Sequence, residues 1–164
     1  MNEDELRVKA CEWLRKHFPV RNYHLEPIVF HGLSFTISEF LHKKFKGQEL
    51  VSIPRYNSLS IRPDIIGLIK FESNNEQSIM GWVIGECKAD KVNAADFRQA
   101  VHYANVSGAY EGYLFFGGDL SREVMDSIKA GGHLYGGTNK WGKAVTKQLI
   151  FIKYEDEKFV KLSL

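Results

Sequence analysis

The strongest constraint in this sequence is a set of strand-like segments whose apolar residues are barely interrupted, Arg62 to Phe71, Met80 to Lys88 and Tyr110 to Phe116. The last reads as a buried strand ended by Gly117-Gly118, and Val83-Ile84-Gly85 mark the second as interior too. Asn and Ser residues between Glu72 and Ser78 predict a turn joining the first two. Residues 94–107 carry Ala95, Phe97, Ala100, Val101 and Ala104 at helical spacing. Upstream, 4–18 places Leu6, Ala10, Trp13, Leu14 and Phe18 on one side of a helix closed by Pro19. An extended stretch is predicted at 23–31, where Pro27 favours an edge or a loop. A short helix from Thr36 to Lys46 follows with Gly47 as its C-cap, then a strand from Glu49 to Tyr56. Downstream come a helix from Ser121 to Ala130, a glycine-broken loop at 131–137, and a strand pair, Gln148 to Tyr154 and Lys158 to Leu164. The order predicts an α/β fold, a mixed central β-sheet flanked by α-helices.

With 164 residues and no linker or repeat, a single domain is expected over 1–164. It divides into an N-terminal helical portion (about 1–35), a core (about 36–116) and a C-terminal loop and strand pair (about 117–164). The N-terminus is acidic rather than basic and leads into an amphipathic stretch, so a cytoplasmic, soluble protein is expected, with no membrane partner. The two cysteines, Cys11 and Cys87, suggest neither a disulfide framework nor a zinc knuckle. A net charge of +2 is too small to imply a polyanionic partner, so any such contact must be local.

Phosphodiester hydrolysis with magnesium needs few protein ligands: two carboxylates on rigid neighbouring strands, and a cation beside the attacking water. Asp64 lies in Ile61-Arg62-Pro63-Asp64-Ile65-Ile66, while Glu86 and Lys88 stand at i and i+2 of the following strand and share a face. Cys87 then faces the core. Asp64 and Glu86 are the candidate metal ligands, with the Cys87 carbonyl as a further one. Lys88 is the candidate that orients the water or stabilises developing charge. The bland alternative is a surface hairpin with a solvated Glu86–Lys88 pair. The apolar residues preceding Glu86 argue against it.

Pro63-Asp64 with Glu86-Cys87-Lys88 resembles the two half-motifs of the PD-(D/E)XK nuclease superfamily, over roughly residues 36 to 116. The resemblance implies a restriction endonuclease-like fold and a Mg2+-dependent deoxyribonuclease (Mn2+ substituting) acting on DNA in restriction, recombination or repair. Gln99-Ala100-Val101-His102-Tyr103 is similar to the Q-x-x-x-Y element of RecB-type nucleases, which implies substrate contact by Gln99 and Tyr103. The superfamily often adds a helix carboxylate. Glu39 is the candidate here, although Thr36-Ile37-Ser38-Glu39 also fits a capping box and Glu5 and Glu12 are rivals. Lys140 and Lys143, near Lys147 and Trp141, are further candidates for phosphate and base contact. A surface histidine is expected at His102. The patch Lys43, Lys44 and Lys46 reads as a solvated helix end, and the seven-residue spacing of His17, His24 and His31 straddles two elements and predicts no metal site. Cleavage of both strands by one small domain would favour a homodimer. The alternative function is a nucleic-acid- or protein-binding module on the same fold that does not cleave.

Overall fold

A computed structural model describes residues 1–18, 24–30, 36–51, 53, 59–71 and 79–164, with 24–30, 44, 49, 79 and 80 described by backbone alone. The elements are α1 (Glu3–His17), β1 (His24–Phe30), α2 (Ile37–Lys44), α3 (Gly47–Val51), β2 (Ile65–Phe71), β3 (Ile79–Lys88), α4 (Ala94–Ser107), β4 (Glu111–Phe116), α5 (Arg122–Lys129), β5 (Leu134–Thr138), β6 (Ala144–Gln148), β7 (Ile150–Glu155) and β8 (Lys158–Lys161). Six strands form one mixed sheet in the order β1-β2-β3-β4-β7-β8, and β5 and β6 pair separately. β2 runs antiparallel to β3, with Ile65 opposite Gly85, while β3 and β4 run parallel through the helix α4. The mixed α/β class expected from the order of elements is what the chain adopts.

Side-chain alternation sorts the strands onto two apolar layers. Ile66, Leu68, Trp82, Ile84, Leu114 and Phe116 pack with residues of α2, α4 and α5. Ile65, Ile69, Val83, Cys87, Tyr113 and Phe115 pack with Leu6, Ala10, Cys11 and Leu14 of α1. Both faces of the central strands are therefore covered, which explains their nearly uninterrupted apolar sequences. α1 is thus part of the core.

Four local expectations are corrected. β2 begins at Ile65 rather than Arg62, because Pro63 has no N–H for a ladder and the Asp64 N–H is used by a side chain. Gly47 does not cap α2, which ends at Lys44 with Phe45 as its cap. At φ +60 Gly47 instead opens α3, so the first residues of the expected strand from Glu49 to Tyr56 are helical, Ile53 adds a bond from its N–H to the Leu50 carbonyl, and 52 and 54–56 lie outside the described residues. The glycines after 131 do not simply make a loop: Gly136 and Gly137 are in β5, where the absence of side chains lets the hairpin approach Asn105 and Ala109. The turn expected at 72–78 lies outside the described residues, flanked by the antiparallel pair Phe71 and Ile79.

Close packing of β4 against α4 depends on Gly112. A Cβ there would sit 2.8 Å from Ala104 Cβ and 3.3 Å from Leu149 Cδ1. Gly112→Ala should therefore cost about 1–3 kcal/mol through overpacking. Thermal unfolding followed by circular dichroism checks this, and an unchanged midpoint would show that the layers have slack.

Candidate active site

The site forms where the start of β2 meets the end of β3. Antiparallel register puts Asp64, one residue before Ile65, beside Glu86, one residue after Gly85. The Asp64 N–H donates to Glu86 Oε1 at 3.1 Å, and the Cys87 N–H donates to Asp64 Oδ2 at 2.8 Å. Both acids are nearly enclosed, Asp64 being 8% exposed and Glu86 4%. Asp64 and Glu86 are thus in contact, and Lys88 lies within electrostatic reach of both.

Two buried carboxylates cannot both hold a full negative charge at little cost. Burial first, and the charge of Asp64 second, push Glu86 up from 4.5 to about 9, against the Asp64 N–H and Lys88, which pull it down. Asp64 meets a cation that sequence reasoning missed. Arg7 of α1 donates from Nε to Asp64 Oδ1 at 3.0 Å, and its second terminal nitrogen lies 2.7 Å from the same oxygen. Burial opposes the Arg7 charge, but Asp64, Glu3 and Asp4 outweigh it and raise its pKa. The signal was present: 7, 10, 11 and 14 form one helical stripe, and an arginine among Ala10, Cys11 and Leu14 marks a buried cation needing a partner.

Lys88 is half-buried beside this pair. Its Nζ lies 3.7 Å from Asp96 Oδ1 and 4.0 Å from Glu3 Oε1, with no hydrogen bond among the described residues. Burial works against its charge, but Glu3, Asp96, Glu86 and Asp64 together raise its pKa, so the ammonium persists at neutral pH. Glu3 and Asp96 were not among the sequence candidates. Asp96 is placed by a capping box at the start of α4, in which Asn93 Oδ1 accepts from the Asp96 N–H and Asp96 Oδ2 from the Asn93 N–H. Its other oxygen remains for Lys88.

Gln99 and Tyr103 follow Asp96 on one flank of α4, and the Gln99 amide donates to the Tyr103 hydroxyl at 2.8 Å. His102 is exposed on the same helix. Cys87 keeps its thiol in the core, where burial first, then Asp64 and Glu86, push its pKa well up. Glu39 is exposed on α2, its N–H capped by Thr36 Oγ1 at 3.1 Å. Among the described residues no three or more His, Cys, Asp or Glu side chains gather so that they could hold a metal ion. Glu39 therefore does not complete the pair, and neither do Glu5, which bonds back to Asn2, and Glu12, which is exposed. His17 stacks on Trp13 with ring centroids 4.7 Å apart, while the side chain of His24 and all of His31 lie outside the described residues. Lys43 and Lys46 are exposed near the end of α2. Lys140 and Lys143 stand on the turn of the β5–β6 pair, a sheet separate from the one formed by β2 and β3.

The acid pair suits magnesium. That ion takes carboxylate oxygens, often only one or two, and fills its shell with water and substrate phosphate. A carboxylate has about four lone-pair sites. Asp64 commits its oxygens to Arg7 and the Cys87 N–H, and Glu86 accepts the Asp64 N–H through Oε1, so acceptor sites remain on both. The suppressed ionisation of Glu86 is itself a cost that a divalent cation would relieve.

No helix among the described residues is long and apolar enough to cross a membrane. Comparison with protein-family models, with curated proteins and with solved structures finds no match to this chain.

Proposed function

We propose that the chain is a magnesium-dependent nuclease of the PD-(D/E)XK kind that hydrolyses DNA phosphodiester bonds. The observation that carries this is the meeting of Asp64 and Glu86 from adjacent strands, with Lys88 two residues after Glu86 on the same strand and within electrostatic reach of both acids. In this reading Asp64 and Glu86 hold the ion, with the main-chain carbonyl of Cys87 as a third donor. When bound, magnesium supplies charge to polarise the phosphate and lower the pKa of a water. Lys88, kept charged by its acidic neighbours yet held by no short bond, orients the attacking water or meets charge building on the phosphoryl oxygens. Arg7 fixes the orientation of Asp64. Gln99 and Tyr103, already bonded to one another, present a preorganised polar contact along α4.

The test is cleavage of plasmid, linear, single-stranded and branched DNA in Mg2+, in Mn2+ and in EDTA. Cleavage of at least one substrate is expected with either metal and none with EDTA, and Lys88→Ala should lower the rate at least about 10²-fold. Intact DNA under every condition would refute the nuclease reading.

One observation favours a second reading, a binding module without cleavage. Arg7 already neutralises Asp64, so Arg7, Asp64 and a protonated Glu86 also make a self-sufficient polar network. Such a network would hold the sheet end together without an ion.

A further inference from the structure

The longest stretch without an acidic residue in the second half of the chain lies between Asp126 and Glu155, and it contains Lys129, Lys140, Lys143, Lys147 and Lys153. In a protein of net charge +2 this is a marked local excess. The β5–β6 hairpin sits at its centre. Tyr135 is buried beneath the hairpin, the Gly136 N–H donates to Asn105 Oδ1 at 2.8 Å, and Thr138 Oγ1 donates to the Gly108 carbonyl at 3.1 Å. These bonds anchor the ribbon to the C-terminal end of α4.

Its tip is ordered by a single side chain. Asn139 Oδ1 accepts from the Trp141 N–H at 2.9 Å and from the Lys143 N–H at 3.0 Å. The Gly142 N–H donates to the Asn139 carbonyl at 3.0 Å, and Gly142 takes φ +74 to complete the turn. This arrangement holds Trp141 58% exposed, the most exposed of the large apolar side chains among the described residues. The Lys140 ammonium lies 4.8 Å from its ring centroid. Lys140 and Lys143 are exposed and form no ion pair among the described residues. Lys147 differs: it sits over the Tyr110 ring at 4.2 Å, and burial lowers its pKa. An exposed aromatic ring with one ammonium over it and a second exposed lysine two residues on is complementary to a base flanked by phosphates.

We propose that this tip binds single-stranded nucleic acid, with Trp141 stacking on an unpaired base and Lys140 and Lys143 meeting the adjacent phosphates. The contact is separate from the acid pair. Lys88 lies near the N-terminal end of α4, at Asp96, and the hairpin docks near the other end, at Asn105 and Gly108, about 14–18 Å farther along the helix axis. Helical geometry also puts Asn105 on the flank away from Gln99 and Tyr103. The tip would thus hold a segment of strand several nucleotides from the scissile bond. In that role it rests on the nuclease reading, but the binding itself does not.

Fluorescence anisotropy of labelled dT12 and rU12, titrated with the full chain in EDTA from 50 to 200 mM NaCl, tests this. Trp141→Ala should weaken binding about 5- to 150-fold, the range a lost base–aromatic stack spans, and Trp141→Phe should recover part of it. The Lys140→Ala/Lys143→Ala double variant should reduce the slope of log K against log salt by about 1.4, from about 0.7 per phosphate contact. Comparison of dT12 with rU12 tells whether the sugar matters; a hairpin-dependent response to either supports the proposal. Absence of binding by the unaltered chain, or Trp141→Ala affinity within twofold of it, would overturn the proposal. So would a loss of self-association in Trp141→Ala, seen by sedimentation, with oligonucleotide binding unchanged, which would make the tip a contact between copies. Since EDTA suppresses cleavage, hairpin-dependent binding by a protein that never cuts DNA would refute the nuclease reading alone.

Discussion

Asp64→Ala is expected to lose cleavage and also to lower the unfolding midpoint by about 6–12 °C. The first effect follows from removing a proposed ligand. The second follows from Arg7, whose buried guanidinium would lose the acceptor of two of its nitrogens. Breaking a buried ion pair from one side costs about 3–5 kcal/mol. Arg7 keeps Asp4 at 2.6 Å and Glu3 at 2.9 Å, both more exposed, which points to the low end, about 3 kcal/mol. At 2–4 °C per kcal/mol for a chain of roughly this size, the stated shift results. The Cys87 N–H also loses its acceptor. Asp64→Asn keeps one acceptor oxygen, enough for Arg7 or for the Cys87 N–H but not for both, and should shift the midpoint less than Asp64→Ala does while cleavage is still lost. Circular dichroism melts and cleavage assays well below each midpoint separate the two effects. If Asp64→Ala melts with the unaltered protein, the Arg7–Asp64 pair does not hold α1 to the sheet.

Glu86→Gln should behave in the opposite sense: cleavage lost, stability retained. Burial and the Asp64 charge raise the Glu86 pKa in the folded chain from 4.5 to about 9. For a group raised on folding, the stability associated with its proton is complete below pH 4.5 and is lost as pH climbs toward 9. In EDTA the unaltered protein should therefore lose stability across this window. Gln carries no proton to lose. The stability of Glu86→Gln relative to the unaltered chain should rise with pH by up to about 1.4 kcal/mol per unit. Urea unfolding at pH 5, 7 and 9 measures it. A constant difference across the three would mean that Glu86 is ionised throughout. Saturating magnesium should restore stability to the unaltered protein at pH 8 and leave Glu86→Gln unchanged.

What could be read beforehand depended on whether a residue's role was local. The helix at 94–107 is legible because Asn93, Asp96 and the 97/100/104 spacing all act within a few residues. The juxtaposition of Asp64 and Glu86 follows from strand register, which two consecutive strands with buried faces fix closely. Contacts across layers were harder to see. Arg7 is 57 positions from Asp64, and Glu3 reaches Lys88 from the same helix, so neither enters a motif defined by the two strands. The segment after Gly47 misled because Val51, Ile53 and Tyr56 favour strand, whereas a left-handed glycine opens a single helical turn at Gly47–Val51. The glycines of 131–137 suggested a flexible loop because a close backbone approach to Asn105 and Ala109 leaves no mark in local sequence.

Cleavage by this site requires that the two acids take up a divalent cation. Calorimetric titration of Mn2+ into the metal-free chain at pH 7.5, repeated with Glu86→Gln, asks this directly. Binding by the unaltered protein, accompanied by proton release and lost in Glu86→Gln, is the predicted result. No binding, or equal binding by both proteins, would contradict it and leave Arg7, Asp64 and Glu86 as a network that only holds the fold.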